Sequence, residues 1–339
     1  MEVRTAIPLD KYTTMKLGGK ARFMAPATSV EDVVTIYQNA EKQGLPVFVL
    51  GSGSNVVAHD DGFPGIVLLN RIKGVEVLSD DQVTCTIKVG AGENWDEFVD
   101  RTVEMMLSGV EAMSGIPGTV GASPVQNVGA YGQEVADTFV SLEAFDSQTN
   151  QVVTMTAEDC KFSYRNSIFR DGAKGRYCIL SVTFRLHHTT PKPPFYTALQ
   201  NYLDKNSITI YTPQNIRDAV LAIRKEKLPD PAERPNSGSF FKNAVIEKWQ
   251  YEDLKSQYVD MPSFDMPGNK YKIPTGWLIE KAGLKGQLLH GMRVHDKNTL
   301  VLINESANSY ADLEAARNEI IQAVYDKFRI QIQQEPLEI

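Results

Sequence analysis

The chain has 339 residues, of which 42% are hydrophobic and 23% are charged, and its formal net charge is −7. This composition is typical of a globular protein of two or three domains. Because the charge balance is acidic, nucleic acid and anionic membrane surfaces are poor candidates for partners.

The first hundred residues predict alternating helices and strands. Ser29 and Asp32 predict the start of a helix whose apolar stripe runs from Val30 to Tyr37. Apolar or alternating runs predict strands at residues 47–50, 65–69 and 83–89, and helical spacing begins again at Trp95.

Residues 113–132 are rich in Gly, Pro, Ser and Asn, and we expect a long, functional loop there. Beyond it, Thr212 and Pro213 open a predicted helix that should stop before Pro229, and Ser309 with Asp312 caps another. The other predicted elements are strands near residues 139–145, 152–156, 178–186, 300–304 and 330–335, a turn at 191–194 and a short helix at 275–284.

Cysteine usage and the N-terminus bear on metal binding and location. Cys85, Cys160 and Cys178 are widely spaced and form no CxxC pair, so neither a disulfide framework nor a metal site is predicted. Residues 1–20 lack the apolar region of a signal peptide, and no apolar run has the length of a membrane span. We expect a cytoplasmic protein with reduced thiols.

Two glycine-containing loops are candidates for cofactor binding. Residues 51–55, GSGSN, follow a predicted strand, and such a loop can turn its N–H groups toward a phosphate, although a plain tight turn is the alternative. Val56 stands where the dinucleotide fingerprint needs its third glycine, and no P-loop lysine follows. The almost uncharged residues 116–132 could wall a flat, apolar ring, with Asn127 as a side-chain contact.

Four later residues are candidates for a catalytic or binding role, although each also has a purely structural interpretation. Arg165 lies between apolar residues and must be paired or face a cleft. Ser239 stands beside two aromatics, where a turn is the plain interpretation. Lys227 ends a helix, which suits any cation. Glu335 falls in the predicted terminal strand and could simply be solvated.

In their order along the chain, these segments resemble the UDP-N-acetylenolpyruvoylglucosamine reductase (MurB) family. The matching motifs are residues 51–55, 116–132, 164–169, 227–231, 238–243 and 276–279, followed by Lys285 with Gly286, Val294 with His295, and residues 300–304. The resemblance covers nearly the whole chain. Residues 194–199 resemble the extra substrate-side loop of the longer, type I subtype.

The resemblance implies an α+β protein with the FAD-binding fold of the vanillyl-alcohol-oxidase (PCMH) type. Two FAD-binding subdomains, residues 1–70 and 71–226 with the type I loop near 191–200, would hold FAD between them. Residues 227–339 would form a substrate-binding domain whose C-terminal tail returns to the active site. The implied partners are NADPH and UDP-N-acetylglucosamine-enolpyruvate, and the implied state is a monomer.

The family's reaction transfers a hydride from reduced flavin N5 to an enolpyruvyl ether, and negative charge then develops beside the substrate carboxylate. By resemblance Arg165 and Glu335 stabilise that charge and Ser239 donates a proton. Glu335 could donate a hydrogen bond only if protonated, which burial would favour. The implied FAD contacts are Gly51, Ser52, Gly53, Ser54, Asn55, Ile116, Pro117, Gly118, Gly121, Ala122, Asn127 and Gly129. The implied substrate contacts are Tyr131, Tyr164, Tyr196, Lys227, Asn243 and Asn298.

Two positions depart from the family pattern. Asn298 replaces a Gln, which shortens that amide by one methylene, and Pro336 follows Glu335 where a valine is usual. Two alternatives stay open: a flavin-dependent alcohol oxidase of the same fold and a non-catalytic nucleotide-sugar binding protein. The oxidase often tethers its flavin to a His or Cys, yet His59 is the only histidine before residue 187.

Overall fold

The computed structural model describes residues 2–339. Its contacts divide the chain into two compact units. The first contains the residues up to Ile7, Ala21–Ser52 and Phe63–Glu226, and the second contains Pro8–Lys20, Gly53–Gly62 and Lys227–Ile339. Two short N-terminal segments thus pack with the C-terminal third of the chain. The division into three domains stays a prediction.

The strands are short and spread over the whole chain. In chain order they are β1 (Arg4–Pro8), β2 (Lys20–Ala27), β3 (Val47–Leu50), β4 (Val56–Val57), β5 (Phe63–Asn70), β6 (Val75–Asp80), β7 (Thr84–Gly90), β8 (Gly129–Ala130), β9 (Gln133–Glu134), β10 (Phe139–Asp146), β11 (Gln151–Thr156), β12 (Tyr177–His187), β13 (Asn236–Ser239), β14 (Ala244–Glu247), β15 (Phe264–Met266), β16 (Lys270–Ile273), β17 (Leu288–Leu289), β18 (Met292–Val294), β19 (Val301–Asn304) and β20 (Leu337–Glu338).

The helices include both long amphipathic elements and single turns. They are α1 (Val30–Gln43), α2 (Trp95–Glu104), α3 (Val135–Thr138), α4 (Ala157–Cys160), α5 (Thr197–Lys205), α6 (Pro213–Lys227), α7 (Lys248–Gln257), α8 (Thr275–Lys281) and α9 (Tyr310–Phe328). Three 3₁₀ helices lie at Leu9–Lys11, Glu111–Met113 and Val120–Gln126.

The first unit begins with a four-stranded sheet of order β1-β2-β5-β3, in which β5 runs parallel to both neighbours. Helix α1 starts where the sequence predicts, because the Ser29 hydroxyl accepts the Asp32 amide at 3.2 Å. Its apolar stripe, with Val33 and Ile36, packs on Ile66 and Leu68 of β5. These predictions are confirmed.

The second sheet of this unit is antiparallel and has the order β11-β10-β12-β7-β6. Trp95 and Phe98 of α2 place their rings 6.0 and 5.3 Å from that of Phe184 in β12. The Asn70 amide, at the end of β5, donates to the Ile179 carbonyl at 2.7 Å and so joins the two sheets. The predicted strands of this region are confirmed.

Helix α6 is fastened to α2 by a buried ion pair. It begins at Pro213 and ends at Lys227, as predicted. Arg217, only 7% exposed, forks onto Asp96 with contacts of 2.6 and 3.1 Å, and its Nε contacts Asp100 at 2.8 Å. Asp96 also accepts the Gly115 amide at 2.6 Å, so the pair fixes the entry to the long loop.

The second unit is built on an antiparallel sheet of order β13-β19-β18-β17. Leu302 of β19 and Val294 of β18 share a core with Leu313 and Ile320 of α9. Ser309 and Asp312 form the predicted capping box at the start of α9. A smaller antiparallel sheet, β14-β16-β15, extends the unit.

One predicted element needs correction, and two observed elements were not predicted. Residues 330–335 do not form a strand: Phe241 and Gln334 form one isolated bridge, and the terminal strand is β20. The predicted long loop contains a 3₁₀ helix, Val120–Gln126, which tolerates Pro124. Helix α5 follows the predicted turn at 191–194 although the sequence analysis assigned no helix there.

No helix within residues 2–339 has the length and hydropathy that crossing a membrane requires. Cys85, Cys160 and Cys178 are free and buried, and burial raises the pKa of the Cys160 and Cys178 thiols to about 12. Nucleophilic thiolate chemistry at neutral pH is therefore not expected from these two cysteines.

We expect Asp96→Asn to lower the free energy of unfolding by about 2 kcal/mol at pH 7, because buried Arg217 keeps only the more exposed Asp100 as a charged partner. Asp100→Asn is the matched control and should cost about 0.5 kcal/mol. Urea unfolding of both variants measures this, and equal losses would contradict the assignment.

The same pair predicts a dependence on pH. Burial alone would raise the pKa of Asp96, but hydrogen bonds from Arg217 and the Gly115 amide, with the Arg217 charge, lower it below 3.8. The stabilisation is present above pH 3.8 and is lost as the pH falls through the lowered value. The difference between wild type and Asp96→Asn should therefore persist from neutral to mildly acidic pH and shrink below pH 3.8.

Candidate active site

The loop after α2 is held close to strand β7 by its own backbone. The Gly121 and Val120 amides donate to the carbonyls of Ala91 and Glu93 at 2.8 and 2.9 Å. A β-carbon on Gly121 would lie 2.5 Å from the Ala91 β-carbon, so this approach requires glycine. The predicted cofactor residues Gly118, Gly121 and Ala122 thus belong to one rigid turn.

Asn127 anchors the end of this loop. It is fully buried with φ +46°, a conformation that Asn tolerates better than most residues. Its side-chain oxygen accepts the Ala136 amide at 3.0 Å, and its nitrogen donates to the Ser163 carbonyl at 3.4 Å. The side chain therefore holds the loop, and a direct cofactor contact from Asn127 stays a prediction.

Arg165 lies at the tip of a tight turn. Ser163 and Asn166 exchange two backbone hydrogen bonds of 3.1 Å, and Arg165 has φ +52°. Its Nη2 donates to the Gly129 carbonyl at 2.6 Å, and its guanidinium lies 5.4 Å from the centroid of the Tyr164 ring. The half-buried guanidinium is thereby oriented by a neutral acceptor and by an aromatic face.

The segment after this turn is bonded to the same loop. The Ser167 hydroxyl donates to the Val125 carbonyl at 2.6 Å and accepts the Phe169 amide at 3.2 Å. Arg170 donates to the Gln126 side chain at 3.1 Å. Together with Asn127, these bonds make the loop and the Arg165 turn one structural element.

Two predicted substrate residues of the first unit contact each other. The rings of Tyr131 and Tyr196 meet edge to face, with centroids 6.0 Å apart. Burial raises the pKa of the Tyr131 hydroxyl, while the charge of Arg224 opposes that shift. Tyr131 therefore stays protonated at neutral pH and can donate a hydrogen bond.

Three carbonyl groups of residues 51–55 accept hydrogen bonds from protein donors. In the first unit the Gly51 carbonyl accepts Arg71 at 2.9 Å. In the second unit the Gly53 and Asn55 carbonyls accept the Thr14 and Leu337 amides at 3.1 and 3.0 Å. An anion-binding loop needs this arrangement, because outward carbonyl oxygens would repel a phosphate.

Ser239 ends strand β13, where it pairs with Val301 of β19 across a bulge. Gly238 adopts φ +71°, and its amide donates to the Asn236 side chain at 2.8 Å. The following Phe240 is fully buried and donates its amide to the Leu300 carbonyl at 2.7 Å. The serine is therefore set by a rigid turn on one side and by the core on the other.

Glu335 is bonded directly to that strand end. Its amide donates to the Phe240 carbonyl at 2.8 Å, and the Lys242 amide donates to the Gln333 carbonyl at 2.9 Å. Two of the three predicted catalytic residues, Ser239 and Glu335, are thus brought onto neighbouring backbone segments of the second unit.

The predicted substrate residues of the second unit differ in their surroundings. Asn243 accepts the Thr275 amide at 3.1 Å and so helps to start α8. Asn298 accepts the Leu300 amide at 3.2 Å within the turn before β19. Lys227 is exposed at the last residue of α6. For Asn243 and Asn298 a ligand contact would come in addition to a structural role.

Several side chains that hold these segments were not predicted from the sequence. Hydrogen bonds to carbonyl or side-chain amide groups 20 to 44 positions away are donated by Arg71, Ser167 and Arg170. Such contacts follow no helical or strand period, so no spacing signal marks them in a single sequence.

Comparison with known proteins identifies the family. A family model described as FAD binding domain matches residues 21–156, and one described as UDP-N-acetylenolpyruvoylglucosamine reductase, C-terminal domain, matches residues 230–339. The chain is 39% identical over 335 residues to the UDP-N-acetylenolpyruvoylglucosamine reductase of Ralstonia nicotianae, with 98% of each chain covered. It belongs to the UDP-N-acetylenolpyruvoylglucosamine reductase family.

Two further relatives agree. The Burkholderia multivorans UDP-N-acetylenolpyruvoylglucosamine reductase is 39% identical over 332 residues, which cover 97% of this chain and 95% of the relative. The solved structure of the Thermus caldophilus enzyme (MurB) has a TM-score of 0.66 at 23% identity and covers 99% and 98% of the two chains. The predicted α+β fold of the FAD-binding type is confirmed, and so is the prediction of an FAD-containing oxidoreductase.

The described residues fit FAD. The carbonyls of Gly51, Gly53 and Asn55 all accept protein donors, and Gly121 permits the close backbone approach that a flat ring requires. The individual contacts, like the catalytic roles, stay predictions.

We expect Ser167→Ala to loosen the cofactor loop, because it leaves the Val125 carbonyl and the Phe169 amide without this partner. The cost should be about 2 kcal/mol in unfolding free energy. FAD should also be lost more readily on dialysis, as measured from the flavin-to-protein absorbance ratio.

Ser163→Ala serves as the control, since the Ser163 side chain is exposed and the turn uses its backbone. If both variants kept FAD equally well, Ser167 would have no part in holding the loop.

Proposed function

We propose that the protein reduces the enolpyruvyl ether of UDP-N-acetylglucosamine-enolpyruvate to UDP-N-acetylmuramate with NADPH, a step in peptidoglycan precursor synthesis. The observation that carries this proposal is the 39% identity to UDP-N-acetylenolpyruvoylglucosamine reductases along nearly the whole chain. The hydrogen bond between Glu335 and Phe240 supports it, because it brings Glu335 to the segment that carries Ser239.

FAD, when bound, would supply hydride chemistry, with NADPH as the source of the hydride. The substrate would receive that hydride at the terminal carbon of its double bond. The electron pair of that double bond would then move to the carbon beside the carboxylate, as an enolate. The role of the chain is to stabilise this charge and to provide a proton.

Arg165 is the proposed cation for the enolate and carboxylate. Its guanidinium is permanently charged and can fork onto a carboxylate. The Gly129 carbonyl and the Tyr164 ring orient it in advance, which reduces the entropy lost when the anion binds. Glu335 is the proposed hydrogen-bonding partner on the second unit.

Ser239 is the proposed proton donor. A hydroxyl is a weak acid at neutral pH. The enolate carbon, however, is a much stronger base than the serine alkoxide that the transfer leaves behind, so a positioned hydroxyl can protonate it. Its place between the Gly238 turn and the buried Phe240 limits the motion of its backbone. A proton relay to solvent would restore the hydroxyl after each turnover.

The nucleotide sugar is an anion, and it would bind to a protein of net charge −7. Lys227 supplies a local positive charge, while Tyr131, Tyr164 and Tyr196 supply aromatic surface and hydroxyl donors. Asn243 and Asn298 complete the proposed set. We also propose that the chain works as a monomer in the cytoplasm, which size-exclusion chromatography and fractionation would test.

The decisive experiment follows the flavin in the purified protein. We expect a visible flavin spectrum, bleaching by NADPH without oxygen, and return of the colour on addition of UDP-N-acetylglucosamine-enolpyruvate. A flavin that stays with the chain on denaturation would favour the alcohol oxidase, and a colourless protein that takes up no FAD would favour a binding protein.

We expect Ser239→Ala to keep reduction of the flavin by NADPH and to lose reduction of the substrate by about 10²–10⁴-fold. The control is Ser237→Ala in the same strand, whose buried hydroxyl has no hydrogen-bond partner among residues 2–339. It should react at the wild-type rate. Stopped-flow measurement of both half-reactions tests this, and wild-type substrate reduction by Ser239→Ala would refute the role.

A further inference from the structure

The last six residues of the chain are fixed by backbone bonds to separate segments of the second unit. The Glu335 amide donates to the Phe240 carbonyl at 2.8 Å, and the Leu337 amide donates to the Asn55 carbonyl at 3.0 Å. Between them Pro336 has no N–H to donate, so the tail changes its bonding partner at this residue. Glu335 is thus one anchor of the tail, and the next lies two residues further along the chain.

The carboxylate of Glu338, three positions beyond Glu335, contacts four side chains. Oε1 of Glu338 accepts Arg317 Nη1 at 2.7 Å, the Tyr310 hydroxyl at 2.8 Å and Gln334 Nε2 at 3.2 Å. Its Oε2 lies 3.4 Å from His59 Nε2. We call these five residues the tail clamp.

Helix α9 provides the rigid side of the tail clamp. Tyr310 and Arg317 are two turns apart and therefore lie on one face of the helix. The Asp60 carboxylate accepts the Tyr310 amide at 2.7 Å and so fixes the start of α9. The ring of His59 lies against that of Tyr310 in a tilted arrangement, with centroids 3.9 Å apart. Leu313 of the same helix lies in the core.

Gln334 connects the tail clamp to the residues on both sides of Glu335. Its oxygen accepts Arg317 Nη1 at 3.0 Å, and its nitrogen donates to the Pro336 carbonyl at 2.9 Å. The same nitrogen reaches Glu338. The backbone before and after Glu335 is therefore tied to the same guanidinium and carboxylate.

We propose that Glu338 is a positioning residue that, through the tail clamp, sets the orientation of the Glu335 carboxyl group for substrate reduction. This inference rests on the proposed function, because it takes Glu335 as the group that acts on the substrate. Glu338 itself touches neither substrate nor cofactor in this account.

The charge state of Glu338 agrees with that role. Burial alone would raise the pKa of its carboxyl group, but the hydrogen bond from Tyr310 and the charge and hydrogen bond of Arg317 lower it. Burial and the bond to Glu338 raise the pKa of Tyr310 to about 12. At neutral pH Glu338 is ionised and Tyr310 keeps the proton that it donates.

The test is Glu338→Gln, which keeps the size of the side chain and removes its charge. We expect flavin reduction by NADPH to stay within about twofold of wild type, and kcat for substrate reduction to fall by about 10-fold with KM almost unchanged. The matched control is Glu314→Gln. Glu314 pairs with the same guanidinium at 2.8 Å. Within residues 2–339 the hydrogen bonds of Gln334 and Glu338 do not involve Glu314, so the kinetics of this variant should match wild type.

A double-mutant cycle with Glu335→Gln separates positioning from simple loss of structure. If Glu338 acts through Glu335, then Glu338→Gln should have almost no further effect on substrate reduction in the Glu335→Gln background. A purely structural role would lower the melting temperature and give rate effects that multiply. Multiplying effects, or an unchanged kcat in Glu338→Gln, would overturn the proposal.

The outcomes also distinguish this proposal from the proposed function. Wild-type substrate reduction by Glu335→Gln would remove the catalytic assignment on which both depend. Loss in Glu335→Gln with none in Glu338→Gln would remove the positioning role alone. Should Glu338→Gln fail to fold, Tyr310→Phe removes one bond to Glu338 and keeps the stacked ring, and the same cycle applies with a smaller expected loss.

Discussion

The hydrogen bond from the Glu335 amide to the Phe240 carbonyl is the interaction on which the arrangement of the second unit's candidate residues depends. The tail has no long strand of its own, since β20 contains two residues. It therefore cannot be held by a continuous ladder and is held at single points instead. Pro336 makes this possible: its fixed φ and missing N–H end one set of bonds, and Leu337 starts another with Asn55.

A second constraint is the way in which irregular loops are kept rigid without a sheet. Buried backbone groups need partners, and a loop that lacks a ladder must find them among side chains. Here Ser167 and Arg165 donate to carbonyls of the Val125 to Gly129 segment, and Arg71 donates to Gly51. A carbonyl that accepts a protein donor also has its negative end partly neutralised, which reduces its repulsion of a nearby phosphate. The same bonds thus serve both the conformation of the loops and their electrostatic suitability for an anionic cofactor.

Sequence patterns predicted the regular elements well and the irregular ones poorly, for a physical reason. The stripe of α1, the Ser309 capping box and the Pro213 start of α6 are local signals, and the structure has each of them. The predicted strand at 330–335 was wrong because alternating apolar residues say nothing about whether a partner ladder is present. The order of motifs along the chain identified the family, which composition and spacing could not do. The sequence did not indicate that Arg317, Tyr310 and His59 lie close together. They all contact the carboxylate of Glu338, which is up to 279 positions away from them in sequence.

Arg165 and Arg317 place their positive charges in different surroundings. A chain of net charge −7 cannot attract an anionic substrate by its overall field, so single cations must do so locally. Arg165 is oriented by a carbonyl and an aromatic ring, and it is the cation that we propose for the substrate. Arg317 is bonded to two carboxylates, since Glu338 and Glu314 both accept from it. Its charge therefore serves to hold the backbone of the tail in place.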